Sequence, residues 1–124
     1  MSDTDNTHVF SPRTGDAFLV VDLQRDILSS GSLPVQGADI VLPKVNQVLH
    51  EFHRLGCPVV ATRDWHPRDH CSFTGFGGRW EPHCVQDTSG AEFAAGLKLP
   101  SDALVVSKGT NRDREAYSAY SETG

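Results

Sequence analysis

The chain has 124 residues, 38% of them hydrophobic and 22% charged, and a formal net charge of −5. That length fits one domain able to bury a core, and the composition is that of a globular protein. Its eleven lysines and arginines never adjoin one another, which argues against nucleic acid as a partner, and no apolar stretch approaches the roughly 20 residues that would make the membrane one.

Residues 1–16, "MSDTDNTHVFSPRTGD", are polar and acidic without a hydrophobic centre. They read as a flexible lead-in rather than a secretory signal, which leaves 17–124 as the folded unit. Three cysteines, Cys57, Cys71 and Cys84, make an odd count with no CxxC pair. That is a poor disulfide framework and suits a reducing cytoplasm.

The continuous apolar run Ala17 to Val21 ends at Asp22, as in a strand buried on both faces of a parallel sheet. A loop, "SSGSLPVQGAD", follows. Val41, Val45, Val48, Leu49, Phe52 and Leu55 then recur at spacings of three and four, predicting an amphipathic helix. Asp39 is its expected N-cap, Pro43 falls in the first turn, and Gly56 is its terminator. His50 and His53 lie on the polar side and read as surface histidines, and His8 lies in the lead-in. "CPVVAT" supplies a second strand, and Ala103 to Ser107 a third that runs into Lys108. Between them only "GAEFAAGL" has helical character.

Strand, helix, strand and a later strand of the same type predict an α/β fold with a parallel sheet. Asp22, Asp64 and Lys108 each follow a strand, and ligand sites in such sheets lie beyond the carboxyl ends. An apolar run ending in Asp22 calls for a neutralising partner. Lys108 is that partner if strands one and three are neighbours, either as a structural ion pair or as an acid/base couple.

The segment "RDWHPRDHCSF" adds Asp64, His66 and His70, and His83 comes later. Imidazoles with a carboxylate suit a divalent ion such as zinc, manganese or iron. The spacing of Asp64 and His66 lets an extended strand end aim both at one ion. The competing reading is a solvated loop with a capping Asp and surface histidines. Cys57 reads as a small apolar group. Cys71 and Cys84 each flank a candidate ligand and could serve as thiolate ligand or nucleophile, although neither sits at a strand-to-helix turn that would lower its pKa.

"VVDLQRD", "GSLPVQGAD", "RDWHPRDHCSF", "RWEPHCVQDTSGAEF" and "SKGTNRDREAYSAY" stand in the order and at the spacings seen in nicotinamidases. The chain thus resembles these members of the isochorismatase-like cysteine hydrolases from residue 17 to about 122. The resemblance implies a three-layer parallel sheet with helices on both faces, and a metal-dependent amidase that turns nicotinamide into nicotinate and ammonia. Asp64, His66 and His83 match the metal ligands, and His70 matches a position that coordinates directly in some relatives. One divalent transition metal ion, zinc, iron or manganese, is the implied cofactor, and homo-oligomers are compatible with it. Asp22 and Lys108 match the catalytic aspartate and lysine. Trp80 matches an aromatic pocket wall, and Ile27 stands opposite it where most relatives carry Phe. Glu81 and Asp87 replace commoner Pro and Gly. The family's nucleophilic cysteine follows a fourth strand downstream of the "YSAY" region, and neither Cys71 nor Cys84 matches it. The expectation is therefore an N-terminal portion of such a domain, inactive by itself. The alternatives are a pseudoenzyme that binds metal and pyridines without turnover, and a hydrolase of another small amide.

Overall fold

The computed structural model describes residues 11–120. The apolar runs form a parallel sheet of β1 (Phe18–Val21), β2 (Val59–Asp64) and β3 (Leu104–Lys108), in the order β1-β2-β3. Phe18 to Val21 pair with Val59 to Thr62, and Val60 to Asp64 with Leu104 to Lys108. The first and third strands therefore flank the second and are not neighbours, which corrects the adjacency on which a direct Asp22–Lys108 pairing was expected.

Helix α1 (Val41–Arg54) crosses between β1 and β2. Its apolar stripe buries Leu49 and Phe52; Leu49 joins Val20, Leu23, Val59, Ala61 and Ala94 in the core, and the Phe52 ring stacks on Phe18 at 5.0 Å. Gly56, at φ 76°, ends the helix and donates its N–H to His53 O (3.0 Å), the left-handed termination for which glycine is favoured. Asp39 does not cap α1. Its carboxylate takes the Ser29 N–H (3.0 Å) and hydroxyl (2.5 Å) instead, and a 3-10 turn at Ala38–Ile40 leads into the helix. His50 and His53 are exposed, as their place on the polar stripe predicts.

The expected helix at "GAEFAAGL" is absent, and only a 3-10 turn at Ser89–Ala91 forms there. Arg25 N–H donates to Glu92 O (2.8 Å) and Ala94 N–H to Leu23 O (2.9 Å), so this segment pairs antiparallel with the chain leaving β1. A short isolated helix is marginal, and an extended path that buries Ala94 in the core displaces it. Of the expected lead-in, residues 1–10, His8 included, lie outside the described residues. Residues 13–16 form a turn closed by Asp16 N–H on Arg13 O (2.9 Å), and the Cys57 thiol donates to the same carbonyl (3.4 Å).

Helix α1 covers one face of the sheet. Among the described residues no α-helix lies over the other, where alternation and register place Leu19, Val21, Val60, Thr62, Leu104 and Val106. Val21 (64%) and Leu104 (62%) are strongly exposed as a result.

The core assignment has a direct check. Phe52→Ala is expected to lower the unfolding free energy by roughly 3–5 kcal/mol in urea denaturation. His50→Ala, on the solvent side of α1, is expected to stay within about 0.5 kcal/mol of the parent.

Candidate functional site

All three polar strand ends meet at the carboxyl edge of the sheet. Asp64 closes β2 and stands in register with Lys108 at the end of β3. The lysine then reaches over the end of β2, so that its Nζ lies 2.5 Å from Asp64 Oδ1 and 2.9 Å from Asp22 Oδ2. Asp22 takes the left-handed conformation (φ 53°), which Asp adopts more readily than most residues. It is anchored to the central strand, donating its N–H to Thr62 O (3.1 Å) and accepting the Thr62 hydroxyl on Oδ1 (2.8 Å).

The second Asp64 oxygen faces two imidazoles. Oδ2 lies 3.6 Å from His66 Nε2 and 3.8 Å from His83 Nε2, and one donor atom from each of the three residues falls within 4.8 Å of the others. Each histidine has its other nitrogen tied to a carbonyl: His66 Nδ1 to Gly109 O and His83 Nδ1 to Glu81 O, both at 2.8 Å. A carbonyl only accepts, so Nδ1 carries a proton, and in the neutral ring Nε2 keeps its lone pair. This is the outer-shell pattern that orients metal-bound histidines. Gly109 (φ 65°) approaches the His66 ring so closely that a Cβ there would collide with it. Phe73, fully buried, sets its edge against both rings at 5.4 Å. Asp64, His66 and His83 could thus hold a divalent ion, and their donor chemistry fits one.

His70 stands apart from this group. It stacks on His66 at 4.2 Å, accepts at Nδ1 from Ser72 (hydroxyl 2.7 Å, amide 3.2 Å) and donates from Nε2 to Arg114 O (2.9 Å). With both nitrogens engaged it backs the His66 ring. The sequence does not reveal this, because spacing shows that a histidine is near but not where its nitrogens are spent.

Electrostatics hold the edge together. Burial pushes the Asp64 carboxyl up, but the neighbouring His66 imidazole and the hydrogen bond and charge of Lys108 outweigh it, and its pKa is lowered. Burial pulls Lys108 down, but its hydrogen bonds to Asp64 and Asp22 and their charges raise it overall. At neutral pH the centre is an ammonium between two carboxylates. Cys84 has the opposite environment. Burial first, then the charges of Asp64, Asp26 and Asp22, push its thiol well above the ordinary range, so the metal-free thiol is not activated as a nucleophile at neutral pH.

A cavity of about 850 Å³ opens over the uncovered sheet face, with Asp22, Asp64, Lys108, His66 and His83 in its wall. Trp80 and Ile27 line the same cavity, and none of the three cysteines does. Two contributors escaped the sequence reading. Gln24 and Asp26 follow Asp22 at alternate positions; Gln24 bonds the Asp64 main chain, and Asp26 Oδ2 accepts the Cys84 N–H (2.8 Å) just after His83. A polar residue at every second position after a buried strand was the available signal. Gly90 lies so close to the Asp26 carboxylate that a side chain there would collide with it.

The nicotinamidase of Acinetobacter baylyi is 36% identical over 122 residues, covering 86% of this chain and 55% of the relative. That of Escherichia coli is 32% identical over 123 residues, covering 87% and 58%. Among solved structures, the pyrazinamidase of Pyrococcus horikoshii in complex with zinc superposes with a TM-score of 0.83 at 50% identity, covering 86% of this chain and 59% of that one. PnC1 from L. infantum in complex with nicotinate gives 0.80 at 40% identity, covering 90% and 56%. The chain spans little more than half the length of these relatives. Residues 16–124 match the isochorismatase domain, and the chain belongs to that family.

Proposed function

We propose that this chain carries the metal-binding and acid–base part of an amide hydrolase that converts nicotinamide to nicotinate and ammonia, a step of NAD salvage. The observation that carries the reading is the Lys108 ammonium held between Asp22 and Asp64, with the free Nε2 atoms of His66 and His83 converging on the second Asp64 oxygen. The nicotinamidase relatives and the zinc- and nicotinate-bound neighbours support the same reading.

Each residue has a role that its environment suits. Asp64, His66 and His83 would hold a divalent ion, which would supply a Lewis-acid site for the substrate's ring nitrogen. Ile27 and Trp80, on the wall of the same cavity, sandwich the ring. Asp22 has one oxygen on the Thr62 hydroxyl and the other on Lys108, which holds it in place to accept the proton of an attacking thiol and later pass it to the departing amine. Lys108 keeps both carboxylates in place and offsets negative charge that develops beside them. No cysteine among the described residues lines the cavity, so none of the three is assigned as the attacking thiol. By themselves these residues bind metal and nicotinamide without turnover. The three free cysteines suit a reducing compartment, and we assign the chain to the cytoplasm. No helix among the described residues is long and apolar enough to cross a membrane.

Two experiments follow. Zinc-loaded chain is expected to bind nicotinamide in calorimetry, to lose that binding on Asp64→Ala, and to release no ammonia. Ammonia release that survives Cys71→Ala and Cys84→Ala would contradict the assignment of the nucleophile. The second concerns stability of the metal-free chain against pH. The lowered Asp64 pKa gives a contribution present above the ordinary carboxylate value of about 3.9 and lost as pH falls through the folded value. The raised Lys108 pKa gives one present below about 10.4 and lost as pH rises through the higher folded value. Lys108→Met is expected to cost roughly 3 kcal/mol in urea unfolding at pH 7, because two partly buried carboxylates lose their counter-charge. It is also expected to flatten the alkaline limb of the stability profile.

A further inference from the structure

Gln24 is fully buried, and its amide does for Asp64 what a neighbouring strand would do. Oε1 accepts the Asp64 N–H at 2.9 Å, and Nε2 donates to Asp64 O at 2.7 Å and to Ala91 O at 2.9 Å. The need for this is visible in the register. The β1–β2 ladder stops at Val21 and Thr62, and the chain turns away at Asp22. The Asp64 main chain therefore lies beyond the reach of the β1 backbone. On its other side Asp64 pairs with Lys108, and Trp65 N–H donates to Lys108 O at 2.9 Å. Asp64 is thus gripped from both sides, by β3 and by one side chain.

We propose that Gln24 is a positioning residue for Asp64. It fixes the main chain there so that one carboxylate oxygen stays on the Lys108 ammonium while the other faces His66 and His83. The inference rests on the reading of Asp64 as a metal ligand and acts through its placement, since Gln24 is not among the residues lining the cavity. Removing the amide leaves two main-chain groups of Asp64 without partners and frees the carboxylate to swing. A fully buried side chain with every polar atom spent on the main chains of Asp64 and Ala91 has no freedom to serve elsewhere.

Gln24→Met keeps the length and loses both hydrogen-bonding functions. Gln24→Asn keeps the amide but draws it back by one methylene, and it takes the place of the Met variant if that one is unfolded. In the folded variant Zn²⁺ affinity, measured by competition titration, is expected to fall roughly 10–100-fold. In the metal-free chain the ¹⁵Nζ resonance of Lys108 is expected to move as the Asp64 carboxylate leaves it. A variant that merely melts at lower temperature, with the Lys108 resonance unmoved, overturns the inference whatever its Zn²⁺ affinity. If the parent chain binds no Zn²⁺, the metal-centre reading fails, and the Lys108 resonance still decides the role of Gln24.

Discussion

One ammonium organises the carboxyl edge of this sheet. Lys108 enters from β3, crosses the end of β2 and closes on carboxylates supplied by β1 and β2. Burying a charge is costly unless it is paired and hydrogen-bonded, and here each of the three groups removes the burial cost of the others. The same contact divides Asp64 between two tasks, one oxygen on the lysine and one toward the histidines. The acid–base role proposed for Asp22 and the ligand role proposed for Asp64 are therefore coupled through a single side chain.

The rest of the site consists of devices that keep this edge in place. Carbonyl oxygens of Gly109 and Glu81 fix the tautomers of His66 and His83, so the lone pairs point where a cation would sit. After β1, alternate residues address successive parts of the centre: Asp22 the lysine, Gln24 the Asp64 main chain, and Asp26 the amide following His83. The connection between β2 and β3 contains no α-helix. It is pinned by bridges such as His66 with Val85 and Phe73 with Trp80, which is how an irregular segment holds its side chains in fixed geometry.

Much of this was legible in the sequence, for identifiable reasons. Uninterrupted apolar runs marked the strands, a spacing of three and four marked α1, and the polar residue ending each run marked the edge that Asp22, Asp64 and Lys108 share. Strand order was not legible, because Lys108 is long enough to reach Asp22 whether or not a strand intervenes. The helical character of "GAEFAAGL" misled, since pairing with the chain after β1 satisfies its backbone better than a short helix would. His70 could not be distinguished from a ligand by spacing, because what separates it is Ser72 and Arg114 holding its nitrogens. Gln24 was hidden for a related reason: its partners are main-chain atoms, which carry no signature in a sequence.

The account depends on a centre of one carboxylate and two imidazoles with no sulfur. X-ray absorption at the zinc edge of the metal-loaded chain tests this most directly. The expected result is two imidazole nitrogens and oxygen donors at about 2.0–2.1 Å, with multiple scattering from two rings. A sulfur shell at about 2.3 Å would mean that Cys71 or Cys84 binds the ion, and would contradict the assignment of Asp64, His66 and His83 as its ligand set.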